Sequence, residues 1–440
     1  MSGALAPRAR WLPALLAALA AALPVTAQEA PSAAPEPRPF DVLFDARIVP
    51  TERVARATIS LGRGASNVNW LRFSIDPERH GDFRGDGQVD VEGDKVFWRP
   101  PRRGGRLRYT FRIDRLRNAS SYDARCAENW ALFRGDHLFP PARINMADGA
   151  TSRSRMRLRA PDGWSVVAPY ERRDGVFLID HEHRRLKRPT GWVVMGRLGV
   201  LRERIAGVRV AVAGPVGQGV RRQDMMAFLR WTLPSLKNMG WALPERLLIV
   251  GAGDPMWRGG LSAPRSVYLH AARPLISPDL SSPLLHEVVH AVTHARSGPG
   301  GDWVVEGLAE LYSLEALVRS KTVSRRRYEK ALAKLAERGQ RAPRLAVDRA
   351  DGDVTARAVT LLHDLDREIQ RASEERARLD DVVARFIEWR RAVTPQLLRE
   401  AVADAVGHDL EPFFRARVPG TRRIEQGDGA ASLTTGTLRP

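Results

Sequence analysis

The sequence predicts an α+β fold in two successive parts: a β-rich N-terminal domain, sandwich or saddle, and then a mainly helical domain. Three observations predict it. From Phe40 to about Ala213 the chain runs in short alternating segments such as ARATISLGR, LRYTFRIDRL and GVRVAVAG, punctuated by Gly, Pro, Asp and Asn, which is the period of half-buried antiparallel strands. Beyond Arg221 helical segments dominate, the first carrying apolar Met225, Phe228, Leu229 and Leu236. At 440 residues and 43% hydrophobic content, the chain is long and apolar enough for two cores.

In chain order, residues 1–27 carry Arg8 and Arg10, an apolar run from Trp11 to Leu23, and Val25-Thr26-Ala27, the layout of a secretory signal cut after Ala27. The run is short for a bilayer span, and residues 28–39 form a Pro- and Ala-rich linker. A periplasmic or secreted chain without a transmembrane span is expected. Cys126 is the only cysteine, so no intrachain disulfide can form and packing must supply stability. The 70 Lys and Arg residues exceed the 51 Asp and Glu by 19, and by 17 without Arg8 and Arg10. Such a charge suits an anionic envelope surface or acidic substrates. Only six of the basic residues are Lys, however, and the arginines are scattered rather than striped, which reads as compositional bias. Nucleic acid is not an expected partner, because no basic module interleaved with aromatics occurs.

Residues 40–213 make the β-rich domain, with Trp98, Tyr109, Phe111, Phe133 and Trp192 expected in its core. Residues 214–417 make the second domain. A helix from Arg221 towards Asn238, with Pro234 inside it, leads into the strand ERLLIVG and the Gly-rich GDPMWRGGLSAPRSVYLH. Arg265 to His270 is the expected sheet edge, where an extended peptide adds by β-pairing. Further helices are expected near 323–338, 353–372, 379–391, 394–406 and 409–417, and residues 418–440 form a polar tail.

The chemistry concentrates in SSPLLHEVVHAVTHAR. Ser281 and Ser282 can cap a helix and Pro283 suits its first turn, so His286 and His290, four apart, share one helix face and can reach one metal ion. Glu287, beside the first ligand, is placed as a general base for a metal-activated water. Hydrolytic zinc keeps three protein ligands. The breaker run Ser297-Gly298-Pro299-Gly300-Gly301 and the expected cap Asp302 precede a second helix that brings Glu306 back as the third. Glu310, one turn on, is placed to accept the spare N–H of a ligand histidine. His294, one turn past His290 on the same face, reads as a surface or supporting residue rather than a ligand, and His270 and His363, without partners at ligand spacing, read as structural.

The order of these parts resembles the glycyl aminopeptidase family of gluzincin zinc metallopeptidases and, more distantly, the neutral zinc aminopeptidases with their β-saddle and thermolysin-like catalytic domain. The resemblance runs from about Asp41 to Gly420. It rests on GGLSAPRSVYLH, LLHEVVHAV, WVVEGLAELY, LLHDLDREIQRASEERARLDDVVARF and GHDLEPFFRARVPGT. It implies a thermolysin-like catalytic domain at 214–417, one zinc ion on His286, His290 and Glu306, and Glu287 as base and proton shuttle. It implies that Gly259, Gly260, Leu261 and Ser262 bind substrate, with Ser262 standing where family members carry the Glu that grips a free amine. With Leu361-Leu362 aligned, Asp353 falls where the family has an oxyanion-stabilising Tyr; the alternative is that it merely caps the helix beginning near Val354. Glu310 or Asp279 would have to replace the missing acid, and Tyr312, Tyr328 or an arginine the missing donor. The function so implied is a secreted zinc metallopeptidase acting on peptides or proteins. The alternative is a zinc-binding, peptidase-like scaffold with weak or no catalysis that binds envelope peptides or partners.

Overall fold

A computed structural model describes residues 38–181, 184–418 and 421. The expected signal peptide, nearly all of the linker and nearly all of the polar tail lie outside the described residues. In the N-terminal region, strand Arg38–Val49 buries Phe40, Val42, Phe44, Ala46 and Ile48 on one face, as a period of two requires. It lies inside a seven-stranded sheet, antiparallel to Val54–Leu61 and parallel to Ala150–Arg159. The region is therefore mixed rather than purely antiparallel. Alternation is the same in either pairing, so the pattern could not tell them apart, and the long excursion between these two strands supplies the crossover that a parallel pair needs. Sheets of four and five strands complete the region. Trp98, Tyr109, Phe111, Phe133 and Trp192 are all buried, as expected.

A further five-stranded sheet takes strands from both sides of residue 213. Its order is Leu198–Ile205, Val208–Pro215, Arg246–Ala252, Ser266–His270 and Gly260–Ala263. The edge is thus Gly260–Ala263, not Arg265 to His270. Ser266–His270 is buried at every position because it pairs with Arg246–Ala252 on one side and Gly260–Ala263 on the other; a continuous apolar run marks an interior strand. Trp192 ties the edge strand to the N-terminal region, its indole N–H donating to the Leu261 carbonyl at 3.0 Å.

The helices are α1 (Gly135–Leu138), α2 (Arg222–Asn238), α3 (Pro283–Thr293), α4 (Asp302–Arg319), α5 (Arg325–Gly339), α6 (Gly352–Ala372), α7 (Leu379–Trp389), α8 (Pro395–Val406) and α9 (Glu411–Arg417). Leu284, Leu285, Val288 and Val292 of α3 pack in one core with Trp303, Val304, Leu308 and Leu311 of α4. Each side chain so buried contributes about 1.5–3 kcal/mol. The far end of α4 is anchored to α7: the Asp380 carboxylate accepts from the Tyr312 hydroxyl at 2.9 Å and from Arg319 Nη1 at 2.6 Å. No helix among the described residues is long and apolar enough to cross a membrane.

Candidate metal centre

The two metal-site helices are set by local signals. The Ser282 hydroxyl accepts the Leu285 N–H at 3.3 Å, and Pro283 occupies the first helical position. This start leaves the apolar residues of α3 facing the core and turns His286, Glu287 and His290 outward, each partly exposed. The turn that follows is held by Gly298 N–H donating to the Val393 carbonyl at 2.7 Å. A side chain on Gly301 would overlap that same carbonyl, so the chain can double back here only with glycine. Asp302 is not the cap of α4 but its first residue; its carboxylate instead receives the Ala350 N–H at 2.7 Å.

The doubling back brings Glu306 over the histidines. His286 Nε2 and His290 Nε2 lie 3.1 Å apart, and the Glu306 oxygens lie 3.3 Å from His286 Nε2 and 3.5 Å from His290 Nε2. A tetrahedral ion with bonds of about 2.05 Å spaces its ligand atoms by about 3.3 Å. The three donors therefore fit one zinc ion, with a fourth corner free, and they are the metal-capable cluster found among the described residues. Glu310 Oε2 stands 3.1 Å from His286 Nδ1. With Nδ1–H donating there, the lone pair of Nε2 points into the site. Burial opposes charge on His286, but the hydrogen bonds to Glu306 and Glu310 outweigh it and raise its pKa to about 10. Burial would likewise raise the Glu306 carboxyl, yet His286 and His290 hold it well below the usual carboxylate range.

A cleft of about 530 Å³ opens over these residues, lined by Glu287 and by Gly260, Leu261 and Ser262 of the edge strand. Gly260 packs against Glu287: a Cβ there would stand 2.7 Å from Glu287 Cγ. Gly259, expected in the substrate stretch, is buried behind the Trp257 ring instead of lining the cleft. Asp353 departs furthest from expectation. It sits in the first turn of α6, paired with Arg338 at 2.7 Å and Arg341 at 3.2 Å, and does not line the cleft. Nor is it the cap, since Asp351 accepts the Asp353 and Val354 N–H groups.

Three of the proposed substitutes, Tyr312, Tyr328 and Asp279, are engaged elsewhere. Tyr312 is bonded to Asp380 and Tyr328 to Glu315, while Asp279 caps its own loop through Ser281. His294 is the exposed residue that ends α3 in a left-handed conformation (φ 52°). His270 is buried 3.4 Å from Asp254, and His363 is half-buried on α6. The cleft is also lined by Arg117, Trp257, Arg296 and Arg349, whose place there no motif signalled. The Arg117 guanidinium lies 3.8 Å from the Trp257 ring centre and pairs with Asp123 at 3.1 Å. Arginines spread evenly along a chain give no signal that three will converge.

No protein-family model matches the sequence, and no curated protein does. Solved structures match the fold. An aminopeptidase N family protein from Idiomarina loihiensis aligns with a TM-score of 0.65 at 12% identity, over 87% of this chain and 77% of that one. An M1 zinc metallopeptidase from Deinococcus radiodurans, a Glu-to-Ala mutant bound to a Tyr-Ser-Ala substrate, aligns at 0.58 and 16% identity, over 89% of this chain and 95% of that one. Legionella pneumophila aminopeptidase A in complex with aspartic acid aligns at 0.52 and 15% identity, over 88% of this chain and 49% of that one. The β-rich N-terminal region followed by a helical C-terminal region is the architecture of the M1 aminopeptidases.

Proposed function

We propose that this chain, which has the fold of the M1 zinc metallopeptidases, is a zinc-dependent peptidase with a thermolysin-like catalytic half. The observation that carries the reading is the convergence of His286, His290 and Glu306 at 3.1–3.5 Å beneath a cleft whose wall is a sheet edge. His286, His290 and Glu306 hold the ion, and Glu310 fixes the ring of His286. When bound, zinc supplies Lewis acidity towards the scissile carbonyl and a water of lowered pKa. Glu287, outside the ligand set and facing Gly260, takes the proton of the attacking water and hands it to the leaving amine. The Gly260–Ala263 edge offers backbone groups to an extended peptide. The signal-like first 27 residues support a periplasmic or secreted site of action.

A second reading, a zinc-binding scaffold with weak or no catalysis, is favoured by one observation: among the described residues no tyrosine lines the cleft to donate to an oxyanion. Zinc titration of the chelated protein, with cleavage of a peptide library followed in the same samples, separates the two. One zinc per chain with hydrolysis restored supports the peptidase. One zinc without hydrolysis supports the scaffold, and no stoichiometric zinc overturns both.

A further inference from the structure

The charge of the cleft does not match a substrate grasped by its amine. Its acidic residues are Glu287, Glu306 and Asp302. The first two belong to the metal chemistry proposed above, and Asp302 is occupied by the Ala350 N–H at 2.7 Å. Ser262 presents a neutral hydroxyl on the edge strand. Against these stand Arg117, Arg296 and Arg349. Arg117 is held in place by the Trp257 ring and Asp123. Arg296, in the turn after α3, and Arg349, in the loop before α6, are exposed, and among the described residues neither is paired with a carboxylate. With a divalent ion in place the cleft is net positive.

We propose that this cleft selects substrates by a carboxylate, docked on Arg296 and Arg349 with Arg117 as the fixed third wall, rather than by a free amine. The inference rests on the peptidase reading for its context but is tested by binding alone. A guanidinium pairs a carboxylate through two parallel N–H···O bonds, so it orients the peptide as well as attracting it. The carboxylate is either an Asp or Glu side chain or the C-terminal group of the peptide, and the chemistry is shared.

The experiment uses the full chain, zinc-loaded and carrying Glu287→Gln so that peptide is not consumed. Three rhodamine-labelled Ala-rich peptides are compared by fluorescence anisotropy: one with an internal Asp and an amidated C-terminus, one without Asp but with a free C-terminal carboxylate, and one with neither. At least one of the first two binds about fivefold or more tighter than the third, the scale of one or two partly exposed charge pairs. That gain falls to about onefold in Arg296→Gln/Arg349→Gln, whose exposed side chains make no hydrogen bond or ion pair to a carboxylate among the described residues. A gain for the first peptide assigns the side-chain carboxylate, and a gain for the second assigns the C-terminus. Equal binding of all three, or a gain that survives both substitutions, overturns the proposal. Failure of the peptidase reading shows separately, as zinc-loaded wild-type protein that cleaves no peptide.

Discussion

Replacing Gly260 by Ala tests the base position with one methyl group. The new Cβ would stand 2.7 Å from Glu287 Cγ, 3.3 Å from its Cδ and 3.1 Å from its Oε1. Carbon atoms settle at about 3.5–4.0 Å, so Cγ must retreat by about 1 Å. The backbone does not oppose the change, because Gly260 is not among the residues with positive φ. Glu287 can yield by turning about its own side-chain bonds, which costs about 0.5–1.5 kcal/mol. Stability should therefore fall little, and zinc content not at all, since Glu287 stands outside the cluster of His286, His290 and Glu306. Catalysis should fall much more, because a misplacement of about 1 Å costs on the order of 100-fold in rate. The assay is kcat on a fluorogenic peptide, with zinc content and melting temperature measured on the same sample. Turnover within about threefold of wild type, with fold and zinc intact, would refute the placement of Glu287 as the base.

Other consequences follow from the same geometry. Glu306→Ala should empty the metal site, whereas Glu310→Ala should weaken zinc affinity about 10–100-fold, as expected for a group that acts through His286; competition with a chromophoric chelator ranks them, and the reverse order would exchange their roles. Asp380→Ala leaves the buried Tyr312 hydroxyl unbonded and Arg319 paired with Glu315 alone, and should cost about 1–3 kcal/mol in urea unfolding; a loss below about 0.5 kcal/mol would show that this cluster does not anchor α4. His137 and His181 are both pushed down to about 4, chiefly by burial, with nearby arginines adding to it. Their folded pKa values lie below the unfolded value of about 6.5, so the unfolded chain binds more protons and stability falls as pH drops from about 6.5 to 4. His181→Gln keeps a hydrogen-bonding partner for Tyr170 and should flatten that slope; an unchanged slope of unfolding free energy against pH would remove His181 from the account.

Much of the site was legible because its signals are local. The Ser282 cap, Pro283 and a spacing of four put two histidines on one face, and a glycine-rich turn before an acidic helix announced Glu306. Strand pairing was not legible in the same way. Period-two alternation does not record parallel or antiparallel partners, so the parallel pairing of Arg38–Val49 and the exchange of edge between Ser266–His270 and Gly260–Ala263 came only with the fold. Asp353 was misplaced because an aligned dipeptide, Leu361-Leu362, fixes a residue's position along a helix but not the partners around it; Arg338 and Arg341, on and just beyond α5, hold its side chain out of the cleft. The three cleft arginines come from a β-rich segment and two loops far apart in the chain, which no spacing rule connects.

The central claim is that this chain holds zinc on His286, His290 and Glu306 and uses Glu287 for proton transfer, two roles that a single conservative substitution separates. Glu287→Gln, purified with zinc and examined by elemental analysis and peptide hydrolysis on the same sample, should keep one zinc per chain and lose nearly all turnover. Turnover close to wild type with zinc in place would contradict the account.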